Sequence, residues 1–482
     1  AEFIPRRKLI QIVNKNSIKK ELTNIEPATP SSPDQVHAYQ TPGAPRKPES
    51  FRKIMAILVL IGKPSKIRLF LEEGVSDADL PLFKQHIPNS SMPRWELRGA
   101  RGDPKKIIRC FHGWKHRALS EFERRQWRVL TAFFALGARK EVTTGGHGYG
   151  KCPRIINHWV LGDSVVLPFI SQEEFGSPGG CGQVMKVKIH PDHHAFNPLY
   201  SSNPNVFAVK RLKSKKREDF DREISMLKRI SGDFEHGHLI VLSATYKHRG
   251  FYHLIFPWAD ADLVGYWEGI EPSPDRSITR ARWLARQCRG LADALATIHR
   301  FPTFTNDSLL AGASPTSPNI SRPRPKPNAP RKEATRKILF GFHRDIKPPN
   351  ILWFPGGSKS SDDLGTLKIT DFGIAEFTRD GTSSRQQLGN SPPYRAPEVD
   401  VPDAILGPSY DIWALGCVYL EFVAWYLRGW KGVQHFETER STLDSHRAYR
   451  GIKTPTFFTV DKSTNSPKPV VKEEVVKPLR RP

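Results

Sequence analysis

One short run of the sequence combines residue types that could carry out phosphoryl transfer. It reads HRDIKPPN over residues 343–350. Because side chains two residues apart in extended backbone point to the same side, Asp345 and Lys347 would face one reacting centre. The Asp345 carboxylate could accept the proton of a hydroxyl group, and the Lys347 ammonium could offset charge on the transferred group. Asn350 could supply an oxygen ligand to Mg²⁺.

The tripeptide DFG at residues 371–373 adds a second acidic position. It directly follows the strand-like segment TLKIT, and Asp371 lies twenty-six residues after Asp345. A carboxylate at a strand end, beside a flexible glycine, suits a hard Mg²⁺ ion that bridges phosphate oxygens. Alone, the tripeptide would be an ordinary turn. Its order after the HRDIKPPN run favours a metal site formed by Asn350 and Asp371.

A lysine and a glutamate further upstream predict a buried ion pair. Lys210 ends the strand-like segment FAVK, and Glu223 follows thirteen residues later on a predicted helix. A helical period of about 100° per residue places Glu223 inside an apolar stripe. The stripe consists of Phe220, Ile224, Leu227 and Ile230. A carboxylate on a buried face needs a cationic partner, so we predict a Lys210–Glu223 pair, which would position phosphates.

A glycine-rich segment, FGSPGGCGQV, occupies residues 175–184. Aligned with the pattern G-x-G-x-x-G-x-V, it has Gly179, Gly182 and Val184 in place, while Ser177 takes the first glycine position. Glycines let backbone N–H groups approach phosphate oxygens closely, and the valine can pack over a flat base. Taken alone, the segment fits a plain hairpin turn equally well.

The elements around these motifs include short strands and long helices. A single apolar stripe predicts a helix over residues 279–299, and an apolar run all round predicts a buried helix over residues 411–426. Strand-like segments at 351–354 and 366–370 flank a Gly/Ser/Asp turn and predict a hairpin. Residues 301–336 are rich in Pro, Ser and basic residues and predict an exposed insertion.

The two ends of the chain differ from its middle. Residues 1–50 are rich in Pro, Ser, Lys and Arg without an apolar period, so we predict a mostly disordered arm. Residues 51–160 predict a mixed α/β region of unknown role, in which IMAILVLI at 54–61 suits a buried strand or a short helix. Residues 461–482 predict a C-terminal tail with one amphipathic helix.

Composition and charge restrict the class of protein. The 482 residues are 38% hydrophobic and carry a net charge of +25, and the five cysteines form no CxxC pair. This excludes a zinc site of the usual spacing and favours a reducing compartment. We find no signal peptide or membrane-spanning segment, so we expect an intracellular, cytoplasmic protein with nuclear entry left open. The basic clusters at 210–217 and 322–337 are more typical of solvated surface than of nucleic-acid binding.

These motifs, in this order, resemble the eukaryotic protein kinase family over roughly residues 165–427. The resemblance implies an α+β, two-lobed protein kinase fold, preceded by the additional N-terminal α/β region. The β-rich small lobe would span 165–263 and the mainly helical large lobe 264–460. The large lobe is expected to be truncated at its C-terminal end, because the family's last helices have no counterpart. Segments such as LIFPWADADL at 254–263 are similar to kinase-domain proteins of filamentous fungi.

The resemblance also implies the activity and the residues that perform it. It implies a serine/threonine kinase that uses ATP and Mg²⁺ and acts on protein substrates, since Lys347 matches that class. Asp345 and Lys347 would be catalytic, and Asn350 and Asp371 would bind the metal. The implied ATP-binding residues are Gly179, Gly182, Val184, Ala208, Lys210, Glu223, Phe256, Trp258 and Asp262. Among these, Phe256 and Trp258 would form the hinge that contacts adenine. Asp262 would reach the ribose.

Further residues are implied to steady the site. Ser391 stands where the class has a hydroxyl residue that steadies Asp345, and Asp411 would hold the catalytic loop from the buried helix. Glu398, in the sequence APE, is expected to lack the arginine that pairs with it in the family. A buried glutamate without a partner would cost roughly 3–5 kcal/mol of stability.

Regulation by phosphorylation is a further implication. Arg344 precedes the catalytic aspartate, which in the family indicates control by a phosphate on the activation segment. Thr378 and Thr382 are candidate acceptors of that phosphate. A phosphate paired with arginine would order the segment.

Two other interpretations stay open at this point. A pseudokinase would keep the fold as a binding scaffold without turnover. The presence of Lys210, Glu223, Asp345 and Asp371 speaks against it, whereas the missing C-terminal helices speak for it. A basic nucleic-acid binder on a kinase-like frame is the second alternative, which a salt-dependent mobility shift would decide. The sequence names neither the physiological substrate nor the oligomeric state.

Overall fold

The structure is a computed structural model of the 482-residue chain. The residues that it describes are 3–23, 50–87, 94–99, 108–137, 155–175, 182–196, 203–232, 236–304, 336–356, 363–373, 375–378, 392–401, 405–444, 449, 451–461 and 468–480. Within these ranges, no helix combines the length and the apolar character needed to cross a membrane.

The N-terminal unit is mainly helical and has a core of its own. Its helices are α1 Arg6–Ile12, α2 Lys15–Thr23, α3 Arg52–Leu60, α4 Ile67–Glu73 and α5 His116–Gln126, and its hairpin is β1 Leu82–Ile87 with β2 Arg94–Gly99. Apolar side chains from helices and hairpin meet in the middle. Ile54, Phe70, Leu97 and Phe122 are fully buried there. This core makes the unit a separate packing layer.

The prediction of a disordered arm over residues 1–50 is wrong for its first half. Helices α1 and α2 lie there, and Leu9, Val13 and Ile18 are buried in the N-terminal core. Each helix has only two or three turns, so its apolar period is too short to stand out from the polar composition. Residues 24–49 lie outside the described part. IMAILVLI belongs to helix α3, not to a strand.

The small lobe is built on a six-stranded sheet. The strands are β4 His158–Val160, β5 Phe169–Phe175, β6 Gly182–Ile189, β8 Val206–Leu212, β9 Ala244–His248 and β10 Phe251–Pro257, in the order β4-β9-β10-β8-β6-β5. A short parallel pair, β3 Phe134–Ala135 with β7 His194–Ala195, lies beside it. Helix α6 Arg217–Gly232 packs on the sheet. All pairs within the sheet are antiparallel except β4 with β9.

The predicted boundary between the N-terminal region and the small lobe is too late in the chain. Phe134 and Trp159 pack together at 5.4 Å between ring centroids, and Phe134 also contacts Tyr246 of β9. Strand β4 extends the sheet parallel to β9. A three-residue edge strand leaves little signal in sequence. The prediction therefore assigned the residues from about Ala132 to the N-terminal region, although they pack in the core of the small lobe.

The large lobe is organised around two long helices. These are α8 Ile278–His299 and α9 Ser409–Arg440, with the shorter α7 Leu263–Gly265 before them. The predicted stripe on α8 faces inward, where Leu291 and Ile298 are fully buried. Helix α9 breaks at Gly429, whose φ of 66° favours glycine. A Cβ there would lie 2.5 Å from the carbonyl oxygen of Pro272, so the close approach also requires glycine.

Short strands complete the large lobe. They are β11 Ala261–Asp262, β12 Phe301–Phe304, β13 Arg336–Phe342, β14 Ile351–Phe354, β15 Thr366–Ile369 and β16 Glu376–Thr378. The predicted hairpin is present as the antiparallel pair β14–β15. The first residues of the predicted insertion form strand β12, and its last residue begins strand β13. These two strands pair, so the two ends of the insertion lie side by side. Residues 305–335 lie outside the described part of the chain.

The C-terminal segment packs against α9 as part of the large lobe. Its elements are β17 Thr442–Leu443, β18 Lys453–Thr454, β19 Phe458–Asp461, β20 Lys468–Val471 and α10 Glu473–Arg480. The predicted boundary at residue 461 therefore falls inside the β19–β20 hairpin. Val475 of α10 is buried against Phe436 and Phe457. Apolar side chains spread over a long, irregular segment form this contact, which periodicity cannot reveal.

Candidate active site

Three neighbouring strands form one wall of the cleft. Lys210 lies on β8, between Val184 of β6 and Leu254 of β10 in the register of the sheet. Ala208, two residues earlier on β8, lies opposite Phe256. Because side chains alternate along a strand, Ala208 and Lys210 share one face of the sheet. Val184, Ala208, Lys210 and Phe256, which the resemblance assigns to ATP binding, therefore lie on neighbouring strands.

The predicted ion pair between Lys210 and Glu223 is present. Lys210 Nζ lies 2.8 Å from Glu223 Oε1 and 2.9 Å from Asp371 Oδ1. Burial alone would lower the pKa of Lys210, but the carboxylates of Asp371 and Glu223 outweigh it and raise that pKa. Burial likewise opposes ionisation of Asp371, and Lys210 overcomes it so that the pKa of Asp371 is lowered. Lys210 and Asp371 are therefore both charged, and the contact between Lys210 and Glu223 holds α6 against the cleft.

Residues 343–350, which the resemblance identifies as the catalytic loop, form a second cluster. Lys347 Nζ lies 2.8 Å from Asp345 Oδ2, so the two side chains share one side of the loop as predicted. The amide nitrogen of Asn350 donates to the backbone oxygen and to Oδ2 of Asp345, both at 2.8 Å. These contacts fix the rotamer of the carboxylate and leave it 13% exposed. A fixed and accessible carboxylate can accept a proton from a bound hydroxyl group.

Asp411 of α9 binds the backbone at the start of this loop, as the resemblance implies. Its carboxylate accepts the backbone N–H groups of His343 at 2.8 Å and Arg344 at 2.7 Å. His299, the last residue of α8, also contacts it through Nε2 at 3.0 Å. His299 was not among the site residues predicted from the sequence. A polar residue closing an otherwise apolar buried stripe was the available signal.

The two predicted metal ligands lie at adjacent ends of the β14–β15 hairpin. Asn350 directly precedes β14, Asp371 follows Thr370 after β15, and the Thr370 N–H donates to the Asn350 carbonyl at 2.9 Å. Asp371 has a φ of 62°, a left-handed backbone that costs roughly 1–3 kcal/mol outside glycine. Such strain at a residue with hard oxygen ligands is typical of a functional position.

These residues fit a magnesium ion that takes most of its ligands from elsewhere. In the described ranges, no group of three or more His, Cys, Asp or Glu side chains could hold a metal. Asn350 and Asp371 would thus give one amide and one carboxylate, and phosphate oxygens and water would complete the shell. Mg²⁺ in phosphoryl-transfer sites is commonly bound in this way.

The end of β10 and the residue that follows it contain the predicted hinge. Phe256 and Trp258 are half-buried, and the Trp258 ring lies 5.1 Å from Phe175 at the end of β5. Asp262 accepts the N–H of Gly265 at 2.7 Å, and burial raises the pKa of this carboxyl. The aspartate therefore caps α7 in addition to any contact with a ribose.

Several predicted residues stand apart from this cluster or outside the described chain. Gly179, Thr382 and Ser391 lie outside the described residues. Thr378 is described only as part of the backbone of β16. Gly182 begins β6, where a Cβ would lie 2.6 Å from a β8 carbonyl oxygen. Close packing of the two strands therefore explains the glycine at this position without any contact with phosphate.

The surroundings of two charged residues, Glu398 and Arg344, bear on the roles expected of them. Glu398 is half-buried and accepts the Ser409 hydroxyl at 3.3 Å, so the stability cost expected for a fully buried glutamate without a partner does not apply. Arg344 is 2% exposed and has a φ of 69°. Burial lowers its pKa, although Asp411 opposes the shift. Its role as a phosphate receptor stays a prediction.

Comparison with known proteins agrees with this geometry. The family model described as Protein kinase domain matches residues 339–473. Human cyclin-dependent kinase-like 4 is 42% identical over 82 residues, which are 17% of this chain and 19% of that protein. CBL-interacting serine/threonine-protein kinase 21 of Arabidopsis thaliana is 34% identical over 85 residues, 18% of each chain.

A solved structure also matches, the yeast RNA Pol II CTD kinase CTDK-1 complex, at 21% identity and a TM-score of 0.32, over 49% of this chain and 57% of that one. The chain spans about a fifth of the length of the two curated relatives. The matched region contains residues 343–350, the β14–β15 hairpin and helix α9. Over residues 339–473 the chain is therefore similar to the eukaryotic protein kinase family.

Proposed function

We propose that the protein transfers the γ-phosphoryl group of ATP to serine and threonine hydroxyls of protein substrates. One observation carries the proposal: Lys210 of the small lobe contacts both Glu223 and Asp371, at 2.8 and 2.9 Å. This bridge joins the small lobe to the end of the β14–β15 hairpin. Phosphoryl transfer depends mainly on positioning and charge neutralisation, and such a bridge supplies both.

Each charged residue has a role in the proposed step. The substrate oxygen bonds to the γ-phosphorus while the bond from phosphorus to the bridging oxygen of ADP breaks. The hydroxyl proton passes to Asp345, whose rotamer Asn350 fixes. Lys347 offsets charge on the transferred group, and Lys210 binds the other phosphates. Bound Mg²⁺ would neutralise phosphate charge, and Asn350 and Asp371 are the residues to hold it.

The substrate class is inferred from the residues around Asp345. Lys347, two residues after the catalytic aspartate, is similar to the serine/threonine class of kinases. ATP and serine- or threonine-containing proteins are the proposed partners, whereas a membrane or a nucleic acid is not proposed. We keep an intracellular location as a proposal, which a fluorescent fusion confined to the secretory pathway would contradict.

The test is turnover of ATP with a generic basic protein substrate, comparing wild type with Asp345→Asn. We expect phosphate on serine or threonine with wild type and a loss of roughly a hundredfold to a thousandfold with the variant. Glu268→Gln, which changes an exposed carboxylate of the large lobe, is the matched control and should keep full activity. Absence of transfer by wild type would favour the pseudokinase interpretation instead.

A further inference from the structure

The stretch that follows the activation segment depends on its side chains for its position. Residues 392–400, PPYRAPEVD, lead from the cleft towards helix α9. The backbone hydrogen bonds recorded within this stretch join residues three apart, with N···O distances of 3.0, 3.1 and 3.4 Å. Turns of this kind fix the local shape only. What determines where the stretch lies must come from contacts with other segments.

Arg395 makes the most extensive of these contacts. Its Nε and Nη2 donate to the two carboxylate oxygens of Asp400, both at 3.0 Å. Its Nη1 and Nη2 donate to those of Asp444 at 2.8 and 2.6 Å. Nη1 also donates to the carbonyl oxygen of Pro392 at 3.2 Å. A guanidinium has five N–H donors, and all five are accepted here.

Asp444 belongs to the segment that follows helix α9. The side chains of Asp400 and Asp444 are 3% and 1% exposed, and the Thr454 hydroxyl also donates to Asp444. The rings of Tyr449 and Phe458 flank the guanidinium of Arg395 at 5.5 and 5.4 Å. Buried pairs of this kind add little net stability, but bidentate geometry fixes the relative position of the two segments.

A second buried group joins residues 392–400 to helix α9. The half-buried Tyr394 donates its hydroxyl to Glu421 Oε2 at 2.8 Å, and Arg440 Nη2 donates to Glu421 Oε1 at 2.7 Å. The Arg440 guanidinium lies between the rings of Phe436 and Phe457, at 4.0 and 3.9 Å. Consecutive side chains of the stretch therefore contact charges supplied by α9 and the segment after it.

A short series of contacts connects this stretch with the catalytic loop. Glu398 accepts the hydroxyl of Ser409, the first residue of α9, at 3.3 Å. Two residues later, Asp411 accepts the N–H of Arg344 at 2.7 Å. Arg344 directly precedes Asp345. A displacement of residues 392–400 would therefore change the surface next to the catalytic carboxylate.

We propose that residues 440–444, 449 and 451–458 form a platform that positions residues 392–400 for binding of the substrate peptide, with Asp444 as a positioning residue. This inference rests on the proposed function, because it concerns the protein substrate of the same site. A peptide whose hydroxyl reaches Asp345 must place its flanking residues along the neighbouring surface. Loss of the platform should weaken peptide binding and leave ATP binding, which depends on Lys210, unchanged.

The kinetic test compares wild type with Asp444→Asn. The substituted amide keeps the shape of the side chain but turns an N–H donor towards the N–H groups of Arg395. We expect KM for a serine-containing peptide to rise at least about tenfold, with KM for ATP and kcat within about threefold of wild type. Asp461→Asn, an exposed carboxylate on β19, is the matched control and should change neither constant. An unchanged peptide KM would overturn the inference.

A second measurement does not depend on catalysis. Amide hydrogen exchange of residues 392–400 should be faster in Asp444→Asn than in wild type, while exchange in α6 and β8 stays the same. If wild type transfers no phosphate, the proposed function fails, and exchange alone then decides the platform. Equal exchange in the two proteins would overturn it. If Asp444→Asn does not fold, Thr454→Val removes a single hydrogen bond to Asp444 and is measured in its place.

Discussion

Two clusters of buried charge in the large lobe and its cleft have opposite characters. Around Lys210, the side chains of Glu223 and Asp371 are 13% and 40% exposed, so solvent or a ligand can reach the charges. Around Arg395, both aspartates are at most 3% exposed, and every N–H of the guanidinium is already accepted. One cluster keeps capacity for a further partner, whereas the other has none left.

The difference separates charges that act from charges that position. A cation shared by two partly exposed carboxylates can exchange one of them for a phosphate at small cost. A fully desolvated and fully satisfied group cannot change partners without leaving a charge unpaired, which is expensive. Substitutions in the cleft should therefore affect rate more than stability. Substitutions in the large-lobe network should do the reverse or act on binding of the peptide.

The largest effect is expected for Asp371→Asn. The substitution removes a carboxylate from the cleft while Lys210 keeps Glu223, so no charge is left unpaired. We expect phosphoryl transfer to fall by roughly a hundredfold to a thousandfold or more. The melting temperature without ligand should stay within about 2–4 °C of wild type. Initial rates and thermal melts of the two proteins measure both effects.

The same variant tests the metal site independently of turnover. Adding Mg²⁺ with ATP should stabilise wild type more than ATP alone, because a ligand that binds only the folded state raises the free energy of unfolding. Asp371→Asn should lose most of this added stabilisation. If wild type shows none, Asn350 and Asp371 do not form a magnesium site, and the contrast between the two clusters disappears.

Next in size is the loss of stability expected for Arg440→Met. Its guanidinium is fully buried and pairs with Glu421, whose pKa is raised by burial although Arg440 counteracts the shift. Removing the cation should lower the free energy of unfolding by about 3–5 kcal/mol, because an uncompensated carboxylate stays buried. Urea denaturation measures the change.

Two controls show whether charge is the cause. Arg428→Met, at an exposed position on the same helix, should change the free energy of unfolding by less than about 0.5 kcal/mol. Adding Glu421→Gln to Arg440→Met should recover part of the loss, since no charge is then left without a partner. A double variant as unstable as the single one would point to lost packing against Phe436 instead.

The smallest effect is a dependence of stability on alkaline pH. The ammonium of Lys472 donates to the Arg440 carbonyl at 2.6 Å, and its pKa is lowered to about 8 by burial, with Asp444 opposing and nearby Arg440 contributing. The ordinary value is 10.5, so between about 8 and 10.5 the folded protein binds fewer protons than the unfolded chain. The free energy of unfolding should therefore rise with pH in this window.

The measurement compares wild type with Lys472→Met. Melting temperatures at several pH values between about 7 and 10 include the titration of all other groups, so the difference between the two proteins is the quantity of interest. The destabilising charge is fully present below pH 8 and absent near pH 10.5. The melting temperature of Lys472→Met relative to wild type should accordingly fall as pH rises. A difference in melting temperature that stays constant over this range would contradict the lowered pKa of Lys472.

The sequence by itself determined most of the proposed phosphoryl-transfer site. Asp345 and Lys347 lie two residues apart, so extended backbone alone puts them on one side. Glu223 required a cation because it interrupts an apolar helical stripe, and Lys210 is that cation in the structure. The hairpin that brings Asn350 and Asp371 together also follows from two short strand patterns. In each case the information is contained in the local sequence pattern around the residues concerned.

Only the tertiary structure decided the contacts between distant segments. Nothing in the local sequence of Arg395 indicates that Asp444, forty-nine residues later, accepts its N–H groups. Helices α1 and α2 are equally hidden, because each buries only one or two side chains against a core formed elsewhere. Periodicity reports which face of an element is buried, whereas the identity of the partner depends on how separate elements pack. Long-range ion pairs and short docked helices therefore emerge only when the whole chain has folded.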